Sequence, residues 1–188
     1  MSKATPGRAR GIAKRRLRTL ACAMDRIIPP DEDPGAVAAG APEFLLRLLA
    51  GPDSVFAKPD GSGFVHLTGK LAGVWRARLR TWRRLYRKGL TELDRRAKEM
   101  SGKAFADLDS EEQDSILTEL SLDVVWSEFF ELLLQHTREA YYGDPAYGGN
   151  LNRIGWQVIG FPGPPSLRAV HSGSYSTEPY FQPIEGRP

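Results

Sequence analysis

Titratable side chains that could do chemistry are concentrated where the sequence reads HTREAYYGDPAYGGN, from residue 136 onward. His136 and Glu139 are three residues apart, so on a helix they lie about one turn from each other. Such a pair can supply half of a metal site or a general base. A di-metal bundle would need a second pair, and the spacing of His66 and His171 predicts none. The pattern leaves two readings open: a self-sufficient helical enzyme or metal protein using His136 and Glu139, or a histidine that continues a buried stripe.

A basic helix face is the second feature with chemical potential. Residues 70–98 contain eleven basic side chains and only two acidic ones. At helical spacing, one face carries Arg76, Arg80, Arg83 and Arg87, extended by Arg84 and Lys88. Basic helices can track the phosphates of nucleic acids, but Trp75, Trp82 and Tyr86 share an apolar stripe and are predicted to pack in the core. Nucleic-acid binding through residues 76–88 is therefore an alternative to a solvated or protein-docking face.

Composition predicts a soluble globular chain. Of 188 residues, 41% are apolar and 26% charged, and no apolar run approaches the roughly 18 residues of a membrane span. The single cysteine, Cys22, excludes an intramolecular disulfide and a cysteine-based zinc site. The first twenty residues carry seven basic side chains and no acid. The segment after Arg15 and Arg16 contains further charges and has no apolar export region, which predicts a cytoplasmic protein.

Apolar residues recur at intervals of three and four through most of the first 140 positions, which predicts an all-α fold. The longest pattern begins near residue 67 and places on one stripe Leu71, Trp75, Leu79, Trp82 and Tyr86. Gly89 is predicted to break or bend this helix, because glycine disfavours a helix interior. A separate segment follows, with inward residues Leu90, Leu93, Ala97 and Met100.

Two more helices are predicted after residue 102. Ser110 to Gln113 read as a capping box, so a helix should begin there and bury Ile116, Leu117 and Leu120. The last helix is predicted over residues 122–139, with a buried stripe of Leu122, Trp126, Phe129, Leu133 and His136. The expected architecture is one domain of five to six helices over residues 1–164, ending in a long irregular Gly/Pro/aromatic segment. Residues 165–188 are predicted to be an irregular tail.

The segment beyond residue 139 combines glycines with large rings. Its glycines do not form a dinucleotide fingerprint, since no strand precedes them, so Gly148, Gly149 and Gly160 are predicted to mark positive-φ turns or close backbone approach. Its rings are Tyr141, Tyr142, Tyr147, Trp156 and Phe161. Rings on a glycine-rich loop are typical of interface cores, and one chain is not expected to bury all of them. The segment is therefore predicted to dock another protein.

The same residues carry a family resemblance. HTREAYYGDPAYGGN followed by IGWQVIGFPGP resembles the hallmark of the gluconate 2-dehydrogenase subunit 3 family, with Ala140 where glycine is common. Upstream, DRIIPPDEDPGAVAAGAPEFLLRLL and GLTELDRRAKEMSGKAFADLDSEEQDSIL are similar to the first and central segments of that family. The three blocks occur in order over residues 17–164.

The resemblance implies a non-catalytic small subunit with no metal and no cofactor of its own. FAD and the catalytic residues would belong to a large partner subunit of the glucose–methanol–choline oxidoreductase type, which oxidises sugars or glycosides. The small subunit would support the folding and stability of that partner. Neither nucleic acid nor a membrane span is implied. The residues expected to form the partner interface are His136, Arg138, Glu139, Tyr141, Tyr142, Asp144, Tyr147, Gly148, Gly149, Asn150, Trp156 and Phe161.

Overall fold

A computed structural model describes residues 14–60, 62–164 and 167–174 of the chain. Its α-helices are α1 (Lys14–Ile27), α2 (Ala41–Ala50), α3 (Gly69–Ser101), α4 (Ser110–Leu122), α5 (Ser127–Tyr142), α6 (Ile154–Val158) and α7 (Leu167–His171). The 3-10 turns are Pro52–Ser54, Phe105–Asp107, Pro145–Tyr147 and Leu151–Arg153. The described residues contain no strand beyond a single bridge between Ala57 and Phe64. The predicted all-α class is confirmed.

Helix α1 forms the centre of the bundle. It packs against α2, α3, α4 and α5, and its residues Leu20, Ala23 and Met24 are fully buried. Thr19, on the same helix, is also buried and donates a hydrogen bond to Asp94 of α3 at 3.1 Å. The apolar periodicity read from the sequence thus identifies the inner face of the helix, and burial of that face supplies most of its stabilisation.

Helix α3 runs through Gly89 without a break, over 33 residues and about 50 Å. The prediction that Gly89 breaks the helix is wrong. A Cβ added at this position would overlap ring carbons of Phe129 on α5, so the missing side chain allows the two helices to approach closely. The ends of the helix extend past the core, because Leu71 and Met100, both predicted to face inward, are 50% and 44% exposed.

Two helix boundaries differ from the predicted ones. The capping box of α4 begins at Asp109, which accepts a hydrogen bond from the Glu112 backbone N–H at 2.9 Å, one residue before the predicted position. The chain leaves the helix again at Asp123, whose side chain bonds Arg96 of α3. Leu122 is therefore 80% exposed at a helix end instead of starting the buried stripe of α5. Phe129, Leu133 and His136 are fully buried, as predicted.

The segment after α5 is folded against the bundle, with α6 and two 3-10 turns packed near the end of α5. In the tail predicted to be irregular, residues Leu167–His171 are helical. Residues 165–166 and 175–188 of the tail, like the basic residues before Lys14, lie outside the described part. In the described ranges no helix combines the length and the apolar character needed to cross a bilayer.

Candidate docking site at the end of helix α5

The histidine that suggested catalysis lies inside the core. His136 is fully buried, and its ring stacks on Tyr86 with 14° between the planes. The Tyr86 hydroxyl lies 3.0 Å from His136 Nδ1 and 3.3 Å from the Leu132 carbonyl oxygen, to which it donates. The Trp82 ring meets the imidazole edge to face at 4.8 Å. Burial lowers the pKa of His136 to about 4, because the charged imidazolium would lose its hydration.

Glu139 does not share a site with this histidine. Its carboxylate is exposed and accepts a hydrogen bond from Gln135 Nε2 at 2.7 Å, whereas His136 faces Trp82 and Tyr86. His136 Nε2 has no hydrogen-bond partner among the described residues. A neutral imidazole buried between Trp82 and Tyr86 is shielded from a solvent-borne substrate, which an acid–base group has to reach.

No metal centre is assembled elsewhere in residues 14–60, 62–164 and 167–174, where no three His, Cys, Asp or Glu side chains are grouped in a way that could hold an ion. His66 lies on an exposed loop with its Nδ1 3.1 Å from Asp53 Oδ2. The metal-protein reading of His136 and Glu139 therefore has no support in the geometry.

Asn150 fastens the signature segment to the end of α5. Its backbone N–H donates to the Ala140 carbonyl oxygen at 2.6 Å, and its side-chain Nδ2 donates to the Gly143 carbonyl oxygen at 2.9 Å. Its Oδ1 accepts from the Gly155 N–H at the start of α6, also at 2.9 Å. The side chain is fully buried, so these bonds replace the water that each group would otherwise bind.

Two glycines allow the segment to lie directly on the helix backbone. A Cβ at Gly149 would overlap the Ala140 carbonyl oxygen, and one at Gly155 would overlap the Tyr141 carbonyl oxygen. The prediction of close backbone approach at Gly149 is confirmed, and the positive φ of Gly148 (87°) and Gly160 (66°) confirms the predicted turns. Substituting either close-approach glycine would push the segment away from α5.

The backbone between these glycines is strained. Asn150, Asn152 and Arg153 have positive φ values of 46°, 56° and 60°, which non-glycine residues rarely adopt. Strain of this kind persists only where surrounding contacts determine the conformation, and it is concentrated at functional sites. Here the contacts are the Asn150 bonds and Trp156, above whose ring the Arg153 guanidinium lies at 5.8 Å.

Trp156 also holds the signature segment against the end of α5. It is only 5% exposed, its indole N–H donates to the Tyr142 carbonyl oxygen at 2.7 Å, and the Phe161 ring packs against it edge to face at 5.2 Å. Tyr141 is also buried, so the chain itself covers two of the five rings. Tyr142, at 40% exposure, and the half-buried Tyr147 and Phe161 remain accessible.

The proline-rich loop between α1 and α2 is bonded to the same site. The Tyr141 hydroxyl donates to the Pro34 carbonyl oxygen at 2.7 Å, across 107 positions of sequence. The Leu151 N–H donates to the Ala39 carbonyl oxygen at 3.0 Å. Two blocks that are far apart in sequence thus form one continuous surface.

The twelve residues predicted to contact a partner divide into two groups. Those that are buried, and therefore shape the site from inside, are His136, Tyr141, Gly149, Asn150 and Trp156. Those that are exposed or half-buried are Arg138, Glu139, Tyr142, Asp144, Tyr147, Gly148 and Phe161. Asp144 has a local role as well, since its carboxylate accepts from the Ala146 N–H at 2.8 Å and caps a 3-10 turn.

Sequence reasoning missed three aliphatic residues on the same segment. Leu151, Val158 and Ile159 are 45%, 38% and 56% exposed. Aliphatic side chains in a segment that has no helical period were the available signal, because such residues are either buried by long-range contacts or presented to a partner. Exposed aliphatic residues beside accessible rings are typical of an interface core.

The basic face of α3 is divided in a similar way. Arg83 donates to the carbonyl oxygens of Leu49 and Ala50 at 2.6 and 2.9 Å and so caps the end of α2. Arg78 lies over the Trp75 ring at 4.8 Å. Besides Arg78, the exposed basic residues of α3 between positions 76 and 88 that have no ion pair among the described residues are Arg76, Arg80, Arg84, Arg87 and Lys88. Tyr86 is in the core, as predicted, and the half-buried Trp82 packs against it. Trp75 is also half-buried but packs on Phe56 and Trp82 instead of on the core.

The fold and this site define a helical protein whose C-terminal signature is used to shape a surface on the end of α5. Residues 14–163 match the model of the family described as gluconate 2-dehydrogenase subunit 3, and the chain belongs to that family. Neither a curated protein nor a solved structure matches the chain.

Proposed function

We propose that this chain is a non-catalytic small subunit that binds and stabilises the large subunit of a flavin-dependent sugar or glycoside oxidoreductase. Family membership over residues 14–163 supports a role as a dehydrogenase subunit. FAD and the catalytic groups would reside in the partner, which would be of the glucose–methanol–choline type. The pair would work in the cytoplasm.

The observation that carries the proposal is that three polar or aromatic side chains of the signature are buried and bonded within the chain. His136, Asn150 and Trp156 are at most 5% exposed, and their described contacts are made within the chain. A catalytic site would present such groups to substrate. Here they hold a backbone of unusual φ in place, which is the behaviour expected of a preformed recognition surface.

We name as the signature face the accessible residues that this frame presents: Arg138, Glu139, Tyr142, Tyr147, Ile159 and Phe161. The face combines rings, an aliphatic side chain and charges of both signs. Interfaces typically have an apolar and aromatic core with a polar rim, and tyrosine and arginine are frequent hot-spot residues. Because the frame is already fixed by Asn150 and Trp156, little conformational entropy would be lost on docking.

Co-expression with a candidate flavoprotein of the glucose–methanol–choline type from the same genome tests the proposal. We expect the two chains to co-purify, and the flavoprotein to be less soluble and to retain less FAD when expressed alone. A flavoprotein that is equally soluble and active alone, and that does not co-purify, would overturn the proposal.

Matched variants distinguish docking from folding. Arg138→Glu combined with Tyr142→Ala changes two accessible residues and is expected to abolish co-purification without lowering the melting temperature of the isolated chain. The control pair, Arg76→Glu with Leu71→Ala, changes an exposed arginine and an exposed apolar residue at the start of α3 and should leave the complex intact.

A further inference from the structure

A projecting apolar turn lies at the end of α5 opposite the signature face. The turn between α4 and α5 exposes Leu122, Val124 and Val125 at 80%, 95% and 74%, and we name these three residues the apolar tip. Since α5 has 16 residues, about 24 Å of helix separates this turn from the signature segment. The two surfaces can therefore be occupied at the same time.

The apolar tip is held in a defined conformation. Asp123 accepts a hydrogen bond from the Val125 N–H at 2.8 Å, and its carboxylate also bonds the Arg96 guanidinium of α3. The Asp123 carbonyl oxygen accepts from the Trp126 and Ser127 N–H groups at 3.0 and 2.8 Å. A turn fixed by this many bonds keeps its aliphatic side chains in water, where each exposed apolar area is unfavourable.

A basic cleft of about 400 Å³ adjoins the tip. The cleft is lined by Trp126, which directly follows the tip in sequence, by Arg16 of α1, and by Arg87, Lys88 and Arg95 of α3. Thr91 and Glu92 complete the lining. Glu92 is paired with Arg95 at 2.6 Å, so these two charges offset each other.

Three cations of the cleft are available to bind an anionic ligand. Arg16, Arg87 and Lys88 have no ion pair among the described residues. Arg16 also belongs to the run of seven basic side chains in the first twenty positions, which contains no acid. The described lining of the cleft beside the apolar tip therefore carries a net positive charge.

We propose that the apolar tip and the basic cleft together dock the chain on an anionic phospholipid surface. The apolar tip would be inserted among the acyl chains, and the basic cleft would face the phosphates. The two layers of the face match the layers of a bilayer interface, where apolar side chains reach the acyl boundary and cations lie at the headgroups. A projecting tip suits a fluid surface, which needs no complementary cavity. The proposal is independent of the flavoprotein partner and concerns a different surface.

Flotation of the purified full chain with lipid vesicles tests the proposal. We expect binding to phosphatidylcholine vesicles that contain about a third phosphatidylglycerol, weakening with added salt, and none to pure phosphatidylcholine. Arg87→Gln with Lys88→Gln should lower the partition coefficient about fivefold per cation removed. Val124→Ser with Val125→Ser should lower it about tenfold, because less apolar area is buried.

The control pair Arg76→Gln and Arg80→Gln removes the same charge from the same helix, and at about 10–16 Å from Arg87 it should change binding less than about twofold. Equal losses in this control, equal binding to both vesicle types, or an unaffected tip variant would overturn the proposal. So would displacement by inorganic phosphate beyond its ionic strength, which indicates a discrete phosphate site, or tighter binding to duplex DNA. Unchanged co-purification of the cleft and tip variants with the flavoprotein would separate this result from the proposed function.

Discussion

Tyr86 and His136 form a stacked, hydrogen-bonded pair inside the bundle, with the phenol oxygen 3.0 Å from the imidazole Nδ1. The two residues belong to α3 and α5, and Phe129 packs edge to face on the same tyrosine at 5.7 Å. The pair joins the longest helix to the helix that carries the signature segment. Its histidine must stay neutral, because protonation would place a charge in the core.

The first prediction concerns acid stability. The pKa of His136 is near 6.5 in the unfolded chain and about 4 in the native protein. Between these two pH values the native state therefore binds fewer protons than the unfolded state does. The contribution of His136 is complete above about pH 6.5 and is lost as the pH falls from there toward 4. Between pH 7 and pH 5 the loss is about 2 kcal/mol. In His136→Phe, urea unfolding at both pH values should show a fall in stability about 2 kcal/mol smaller than in the wild type. Identical falls would contradict the assignment.

The second prediction concerns the contact between Gly89 and Phe129. Gly89→Ala should lower the free energy of unfolding by about 1–3 kcal/mol, because a Cβ overlaps the Phe129 ring in a packed core. Gly73→Ala is the matched control, since it lies in the same helix with no atom within 4 Å of the added Cβ. It should raise stability by about 0.5–1 kcal/mol through helix propensity. Chemical denaturation measures both, and effects of the same sign would disprove the packing role.

The third prediction concerns the fastening of the signature segment. Asn150→Gly keeps the freedom to adopt a φ of 46° but removes both side-chain hydrogen bonds, and should cost about 2 kcal/mol. Asn150→Ala should cost about 1–2 kcal/mol more, because a Cβ disfavours this conformation. Thermal unfolding gives the order of the three proteins. Equal stability of the two variants would show that the conformation relaxes.

The fourth prediction separates shaping from docking at the signature face. Trp156→Ala should lower the stability of the isolated chain by about 3–5 kcal/mol, because a buried ring and its hydrogen bond to Tyr142 are removed. Its effect on the complex, expected to exceed about 1 kcal/mol, would follow from the loosened segment. Tyr142→Ala should weaken the complex while leaving the melting temperature nearly unchanged. Calorimetric titration and melting curves on both variants measure this; a tyrosine variant that binds normally would remove Tyr142 from the interface.

The helices and much of the core could be predicted from apolar spacing. Leu79, Tyr86, Phe129 and Leu133 are fully buried, as their positions on helical stripes predict. The errors arise where one local pattern fits two structures. A helix glycine reads the same whether it ends the helix or accommodates a ring, and the ring that decides the matter at Gly89 is 40 positions later.

The site was harder to predict than the fold. The signature residues were identified as a group, yet the burial of Asn150 and Trp156 depends on backbone groups at the end of α5 that become partners only after the segment turns back. Leu122 was misplaced because the turn at Asp123 interrupts a stripe that continues smoothly in sequence. Such long-range closure has no periodic signature, so side-chain type alone could not divide the signature into shaping and accessible residues.

The hydrogen bonds from Tyr141 to Pro34 and from Leu151 to Ala39 have a consequence for how this protein can vary. The proline-rich loop supplies two backbone carbonyl oxygens, and the signature segment supplies the Tyr141 hydroxyl and the Leu151 N–H that donate to them. A change in the backbone path of either block would therefore disturb both bonds. Exchanging either block alone for that of a relative is expected to disturb these two hydrogen bonds, whereas exchanging both blocks would transfer the surface that they form. We therefore expect the two blocks to vary together among relatives, although 107 positions separate Tyr141 from Pro34.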